Sequence, residues 1–204
     1  MNPKKLIKSV KALTGWRETA FLLALVERNV VNAELFLSAT DRLDVDAERF
    51  HNGFDSVLDE SWDHAVLRPN EERLVECLDA VIGHIIEEDI DSYGVIPCNQ
   101  CLLLWELALV SSLNRDKKRA EEGSQISINV VSGFLEFSEG DDLDENALIK
   151  LFEKHELMLR EMEFQQELCD LLRSTEKLNK ELMTKVRGLA FDGGVSNLGI
   201  SLED

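Results

Sequence analysis

Two cysteines separated by two residues form the pattern in this sequence that is closest to a reactive site. Cys98 and Cys101 stand at the predicted start of a helix, where free backbone N–H groups can lower the pKa of a thiol and make it nucleophilic. Redox C-x-x-C motifs of the thioredoxin type follow a strand in a βαβ unit, and the sequence predicts no such unit. Thiol redox chemistry is therefore one hypothesis, and packing of Cys101 in the core as a small apolar residue is the other.

Two acidic patterns resemble parts of metal sites. Asp142 and Asp144 have the spacing with which a calcium loop begins, but Ala147 stands where that loop requires glycine. Glu48 and His51 form a single Glu-x-x-His pair, whereas a ferritin-like dinuclear centre needs a second pair and further glutamates. One C-x-x-C pair is also too few ligands for structural zinc. We therefore predict no metal and no cofactor, and expect Asp142 or Asp144 to cap a helix.

Three charged residues, Glu27, Arg28 and Glu106, interrupt apolar helices. A charge that is buried alone is strongly destabilising, so each should meet a partner. In one arrangement Arg28 pairs with one or both carboxylates and fixes the second helix to the central helix. In the other, the three residues line a polar pocket with Asp91 and Tyr93 at its mouth, and the pocket accepts a small cationic or polar ligand.

The central element is a helix over residues 97–113. Turn residues precede it, and Pro97 suits a first helical turn because its ring fixes φ and its missing N–H is not needed there. Glu106 is the sole charge in residues 101–110, so this helix should be enclosed by other helices on every side. The apolar run is about half the roughly 20 residues that a membrane span needs, which favours a buried helix.

Apolar residues recur at helical spacing along most of the remaining chain. Helices are expected from Pro3, over residues 16–39, from Asp44 or Asp46, and from Asn70. Residues 120–137 fit a strand or a helix, and we favour a helix because a lone strand would leave its backbone groups unpaired. Residues 145–188 should form one long helix or two consecutive helices, followed by an extended tail packed on the bundle.

The predicted fold is all-α: a single domain over residues 1–204, with about six to eight helices around the buried helix 97–113 and a short extended C-terminal tail. Apolar residues make up 44% of the chain and charged residues 30%, which are globular values. The formal charge of −18 repels phosphate backbones, so direct nucleic-acid binding is not expected, while a basic protein partner is permitted. No secretion signal is evident, and the four cysteines are expected to be reduced thiols in the cytoplasm.

Several groups of residues resemble the YjaG family of uncharacterised bacterial proteins. The first group lies near the start of the chain, and the others are Tyr93-Gly94-Val95 with Pro97 and the sequence SNLGI at 196–200. The first group comprises Trp16, Ala20, Phe21, Ala24, Leu25, Glu27, Arg28, Asn32, Leu35 and Phe36. The resemblance implies a helical cytoplasmic protein of bacteria and supplies no catalytic residues. The family often has a residue other than cysteine at the position of Cys98.

The function that we predict is protein association without catalysis, by an interaction or adaptor module in the bacterial cytoplasm and not in a membrane. The acidic surface favours a basic partner. The apolar stripe of the C-terminal helix, which includes Phe164, Leu168 and Leu172, could alternatively pair two copies about a twofold axis. The competing hypothesis is a thiol or metal-dependent enzyme that uses Cys98 and Cys101 or an acidic pocket between helices.

Overall fold

The structure, a computed structural model, describes residues 3–43, 49–50, 52–87, 92–114 and 118–202. Within these ranges the chain forms nine α-helices and no β-strand, so the all-α prediction is confirmed with more helices than expected. The helices are α1 Pro3–Lys11, α2 Trp16–Ala39, α3 Phe54–Trp62, α4 Glu71–Ile82, α5 Val95–Leu113, α6 Ala120–Glu139, α7 Glu145–Lys154, α8 Glu156–Ser174 and α9 Lys180–Phe191. A π-helical turn, Asp63–Leu67, extends α3, and a 3-10 turn, Asp192–Gly194, follows α9.

The most enclosed element is α2. Residues 18–33 are all buried, and the helix packs most extensively on α5 while also touching α3, α6, α8 and α9. Its apolar side chains point in every direction, as expected for a helix with neighbours on all sides. The centre of the bundle is therefore α2 together with α5, and not the predicted helix 97–113 by itself.

The second core helix, α5, is buried on one side. Leu104 and Trp105 are completely inaccessible, whereas Ile96 is 53% and Leu103 39% exposed on the opposite side. The prediction that other helices enclose α5 on every side is therefore wrong. The physical reason is that folded proteins leave much apolar surface in contact with water, so an apolar face does not guarantee that a neighbour covers it.

The length of α5 also differs from the prediction. The helix begins at Val95, before Pro97, and reaches Leu113, which gives 19 residues. Among the described helices it is the one with the length and apolar composition of a membrane span, and half of its most apolar window is buried inside the protein. Burial of that half against α2 is what a core helix of a globular protein shows.

The segment predicted as one or two helices, residues 145–188, forms three. Asp144 caps α7 by accepting a hydrogen bond of 2.9 Å from the N–H of Ala147, so the predicted cap is confirmed. His155 ends α7 and begins α8, since its ring nitrogen accepts from the N–H of Leu157 at 3.2 Å. The predicted cap of α4 is also confirmed, because Asn70 accepts from the N–H of Arg73 at 3.2 Å. The predicted helix start at Asp44 or Asp46 lies outside the described residues.

The tail packs on the bundle as predicted, but it is folded back on itself and is not extended. The N–H of Ser196 donates to the carbonyl of Ile200 at 2.8 Å, and Gly199 provides the positive φ of 75° that the turn requires. Leu198 is buried in a small apolar cluster with Val131 and Met158. The tail thus completes the surface where α6 and α8 meet.

Candidate functional site

The most polar part of the interior is a cluster around Arg28 of α2. The Nε of Arg28 donates to the Glu161 carboxylate of α8 at 3.1 Å, and Arg28 is 4% and Glu161 0% exposed. A second nitrogen of Arg28 bonds Asp192 at 3.2 Å. The guanidinium also lies 4.5 Å from the centre of the Phe164 ring, a cation–π contact. We call Arg28, Glu161 and the polar side chains bonded to them the Arg28 cluster.

Neutral donors satisfy the other oxygen of Glu161. The hydroxyl of Ser127 and the side-chain amide of Gln165 each donate to Oε1 at 2.7 Å. The amide of Asn29 donates to the Ser127 hydroxyl at 3.1 Å, which extends the network to the next residue of α2. Each oxygen of this buried carboxylate therefore has a hydrogen-bond donor, as is usual for buried polar groups.

The C-terminal turn is part of the same network. The N–H of Asn197 donates to the Arg28 carbonyl at 3.2 Å, and its side-chain oxygen accepts from the amide of Asn32 at 2.9 Å. Its side-chain amide donates to the carbonyl of Ser127 at 3.3 Å. Three residues that carry the family resemblance, Arg28, Asn32 and Asn197, therefore meet at one place.

Glu27 belongs to a separate group on another side of α2. Its carboxylate accepts from the Nε of Arg187 at 3.0 Å and from the indole N–H of Trp62 at 2.8 Å. Arg187 also reaches Asp59 at 2.6 Å. Burial raises the pKa of the Glu27 carboxyl, and the bonds from Arg187 and Trp62 oppose that shift. The group ties α2 to α3 and α9.

The predicted pairing of Arg28 with Glu27 or Glu106 is wrong, although the expectation that Arg28 and Glu27 have charged partners is correct. Glu27 and Arg28 are successive residues of one helix, so their side chains point about 100° apart and do not face each other. Glu106 lies half-buried on α5. It makes no hydrogen bond or ion pair within the part of the chain that the structure describes.

The four residues of the predicted pocket that the structure describes are dispersed. Tyr93 stacks on Phe137 with ring centres 4.2 Å apart, near the start of α5. Because a helix rises about 1.5 Å per residue, Tyr93 and Glu106 are about 20 Å apart along the axis. Glu27 and Arg28 belong to the separate groups described above, and Asp91 lies outside the described residues. The prediction that these residues share a ligand pocket thus gains no support from the geometry.

Both thiols of the C-x-x-C pattern are completely buried in the core. Burial raises the pKa of the Cys98 thiol to about 12 and that of Cys101 well above its ordinary value. The thiol form therefore predominates at neutral pH, and the thiolate is the form that would react. The geometry fits the alternative that the sequence left open, in which Cys101 packs as a small apolar residue. The Glu48 and His51 pair lies outside the described residues.

Sequence reasoning missed Glu161, Gln165 and Arg187. Glu161 and Gln165 are separated by four positions on α8, so they share a helix face, and Leu168 of that face is in the core. That spacing beside a core stripe was the available signal for two buried polar residues. Arg187 follows the buried Val186, and no comparable pattern marks it.

The described buried carboxylates all have hydrogen-bond or ion-pair partners within the protein. Glu18 accepts from the backbone N–H groups of Arg119 and Ala120 at 2.5 and 2.9 Å, where a carboxylate suits the positive start of α6. Glu27 and Glu161 have the arginine partners described above. The acidic excess of the chain is therefore carried by more exposed residues, among them Glu71, Glu72 and Glu121 and Glu122 at the starts of α4 and α6.

Fold and interior together define an all-α protein in which ion pairs connect the second helix to the last helices, and hydrogen bonds connect it to the C-terminal turn. The chain belongs to the family described as "Protein of unknown function (DUF416)", which matches residues 5–201. The resemblance to the YjaG family is confirmed, and no biochemical activity is attached to the family or to the relatives that match.

The relatives match over nearly their whole length. An uncharacterised protein of Haemophilus influenzae is 27% identical over 95% of both chains. The uncharacterised protein YjaG of Escherichia coli is 25% identical over 94% of this chain and 93% of its own. The crystal structure of a DUF416 family protein from Shewanella baltica superposes with a TM-score of 0.81 at 25% identity, covering 96% of this chain and 98% of the other.

Proposed function

We propose that the protein is a non-catalytic interaction module of the bacterial cytoplasm that binds a basic segment of a protein partner. The observation that carries the proposal is the placement of charge. The chain has a formal charge of −18, while the described buried carboxylates have their partners inside the protein. The negative excess is thus available to attract a cationic surface, which raises association rates and suppresses binding of acidic proteins.

The competing hypothesis of a thiol enzyme has less support. A catalytic cysteine needs an accessible thiolate, and Cys98 and Cys101 are buried thiols with raised pKa values. The polar side chains of the Arg28 cluster bond one another and the C-terminal turn. The hydrogen bonds of the Arg28 cluster therefore stabilise the fold.

A homodimer remains part of the proposal, but it would need a different surface from the predicted one. The stripe on the C-terminal helices is buried within the chain itself, since Leu168, Leu172 and Val186 are inaccessible. Light scattering of the purified protein at high concentration measures its mass directly. A monomer would restrict the proposal to partners other than a second copy.

The cytoplasmic location is supported by the cysteines. All four are buried free thiols, as is usual for proteins kept in a reducing compartment. Fractionation of the source cell with an antibody to the chain would test the location, and recovery in the periplasm or the membrane would contradict it.

Crosslinking in the source cell tests the main proposal. The chain is purified after brief crosslinking, and the crosslinked peptides are identified by mass spectrometry. We expect a defined partner whose linked peptides are rich in lysine or arginine. The complex is then remade from the two purified proteins, and its dissociation constant should rise with NaCl concentration, because salt screens exposed charges. A partner with an acidic contact segment, or affinity that does not depend on salt, would contradict the proposal.

A further inference from the structure

The outer side of the helix pair α4 and α5 carries two apolar stripes. The stripe of α4 is Val75, Leu78 and Ile82, and that of α5 is Ile96, Leu103 and Val110. Spacings of three, four and seven residues place the members of each stripe on one face of their helix. Val75, Ile82, Ile96 and Leu103 are between 39% and 53% exposed. The stripes therefore form apolar surface that is in contact with water.

The two stripes lie side by side because α4 and α5 pack together in opposite directions. The side chain of Asn99, early in α5, accepts from the N–H of Ile86 at 2.9 Å and donates to its carbonyl at 2.8 Å, just after α4 ends. At the other end of the pair, Leu74 of α4 and Ser112 of α5 line the same surface cavity. Since both helices rise by about 1.5 Å per residue, the α4 stripe runs alongside the α5 stripe from Val110 to Leu103. We call the two stripes and the residues between them the α4–α5 face.

Glu106 lies between the two stripes. It follows Asn99 by seven residues, so it projects from the same face of α5, toward α4. It is half-buried and makes no hydrogen bond or ion pair within the described residues. α5 contains no lysine or arginine, and the one base of α4, Arg73, bonds Glu60 and Glu76 instead. In the described part of the chain, this carboxylate therefore has no cation.

The charge of Glu106 determines what can cover the α4–α5 face. A partner that packs on the apolar stripes removes the water that still reaches this carboxylate, and a buried charge without a partner is strongly destabilising. The covering surface must therefore supply a cation at this point. The exposed acids Glu71 and Asp79 of α4 lie four residues on either side of Val75, and they favour the same sign of charge.

Charge complementarity separates the possible occupants. A second copy that presents the same face would place its own Glu106 and the acids of α4 against those of the first copy, which is repulsive. A bacterial membrane surface carries anionic lipids, which the same carboxylates repel. A helix of another protein suits the shape, because two adjacent stripes with heptad spacing form a groove for a third helix.

We propose that the α4–α5 face binds an amphipathic helix of a partner protein, whose apolar side chains pack on both stripes and whose lysine or arginine pairs with Glu106. The inference rests on the proposed function and specifies its binding surface. It also specifies the partner more closely: the basic residue lies among the apolar anchors of the helix and not on its polar face.

The test uses the full chain and three fluorescent helical peptides with leucine at heptad spacing and neutral residues elsewhere. The peptides differ at one central position of the apolar face, which is lysine, norleucine or glutamate. Fluorescence anisotropy measures their dissociation constants. We expect the lysine peptide to bind most tightly, by at least roughly tenfold over the glutamate peptide, because only lysine pairs with Glu106 and the glutamate is repelled.

Reversal of the charge on the protein tests the contact itself. Glu106→Lys should make the glutamate peptide the tightest ligand, and Glu106→Gln should remove most of the preference for lysine. Glu163→Lys changes the net charge of the chain equally at an exposed site on α8, so it is the matched control and should keep the wild-type order. Circular dichroism verifies that each variant is folded.

A second pair of variants tests the apolar part of the contact. Ile82→Ser removes a side chain of the α4 stripe, and Ile149→Ser removes one of similar exposure on α7, 42% against 48%. Ile82→Ser should weaken binding of the lysine peptide by roughly tenfold, as expected when one aliphatic contact is lost. Ile149→Ser should leave the dissociation constant unchanged.

Several outcomes would overturn the α4–α5 face as the site. They are absence of binding by all three peptides, equal binding of the three by the wild type, and an order that Glu106→Lys does not reverse. A dimer that Ile82→Ser dissociates would show that a second copy covers the face. Binding to vesicles of phosphatidylcholine and phosphatidylglycerol that Ile82→Ser abolishes would show a membrane contact instead.

The failure of this inference can be distinguished from the failure of the proposed function. If the crosslinked partner binds through a basic segment and Glu106→Lys does not weaken that complex, the interaction module is supported and the α4–α5 face is refuted. If the peptides behave as expected but the crosslinked partner has an acidic contact segment, the face is supported and the proposed function is refuted.

Discussion

Glu161 is completely buried, and its charge is tolerated because its oxygens meet Arg28, Ser127 and Gln165. The ion pair need not stabilise the fold more than a well-packed apolar pair would, because both charges lost their hydration. The loss of one partner is different, since it leaves the other charge buried and unpaired. The cluster is therefore most sensitive to the removal of one member.

Arg28→Ala is expected to destabilise the protein by about 3–5 kcal/mol, the usual cost of breaking a buried ion pair. Urea unfolding followed by circular dichroism measures the change. Arg160→Ala is the matched control, because Arg160 bonds the same Asp192 from an exposed position at 3.1 Å. Exposed pairs contribute about 0–1 kcal/mol. Equal midpoints for Arg28→Ala and the wild type would show that the pair does not hold α2 to α8.

The Glu34 carboxyl is expected to make the stability of the protein depend on pH. Burial and the neighbouring Asp55 raise the pKa of its carboxyl from 4.5 to about 7. Between these values the folded chain holds a proton that the unfolded chain has released, so stability falls as pH rises through this window. Glu34→Gln, which resembles the protonated carboxyl, should be more stable than the wild type above pH 7 by on the order of 1–2 kcal/mol, after allowance for partial exposure.

The advantage of Glu34→Gln should disappear as the pH approaches 4, which thermal unfolding at several pH values would reveal. Glu181→Gln is a control of opposite sign. The hydrogen bond from Lys185 lowers the pKa of the Glu181 carboxyl, so that group contributes stability at neutral pH that is lost on acidification. A constant difference between Glu34→Gln and the wild type at all pH values would contradict the raised pKa.

The sequence showed that Glu27 and Arg28 need partners, but it did not show which. A helix directs successive side chains to different neighbours, and the partners Glu161 and Arg187 are more than 130 positions away along the chain. Their identity depends on how α8 and α9 cross α2, which local periodicity does not determine. A single sequence therefore predicts that a buried charge needs a partner, but it does not identify the partner residue.

At the scale of helices, close packing of α6 against α2 and α5 depends on Gly123. A methyl group there would collide with Leu22 of α2 and approach Leu104 of α5 at 3.1 Å. Both leucines are completely buried, so they have little room to move away. This glycine is thus a packing residue inside a helix, where glycine otherwise lowers helix stability.

Gly123→Ala should destabilise the protein by about 1–3 kcal/mol, because overpacking outweighs the gain in helix propensity. Gly188→Ala is the control: it is also helical, and an added methyl group meets no atom within 4 Å. That variant should be about 0.5–1 kcal/mol more stable than the wild type. Chemical denaturation measures the free energy of unfolding of both variants. If both are more stable than the wild type, the close contact of α6 with α2 and α5 is refuted.

The sequence predicted the presence of the helices better than it predicted where they end and which residues pack against them. Apolar spacing predicted α2 and α4, whereas α6 was favoured over a strand because a lone strand would leave its backbone groups unpaired. The break at His155 was not predicted, because no glycine or proline marks it and a histidine serves as the cap. The folded C-terminal turn was missed for a different reason: its main partners, Arg28 and Asn32, belong to α2.

For the molecule as a whole, the formal charge of −18 opposes folding, because a compact chain brings like charges together. Added salt should reduce this repulsion, while the buried ion pairs of Arg28 are screened much less. Raising NaCl from 0.01 M to 0.5 M at pH 7 should therefore increase the free energy of unfolding, on the order of 1 kcal/mol.

The same titration near pH 4.6, the isoelectric point, is the internal control, since the net charge there is close to zero. KCl should act like NaCl, as screening depends on ionic strength. Lower stability in salt at pH 7 would contradict this prediction, because it would mean that exposed ion pairs stabilise the fold more than the repulsion destabilises it.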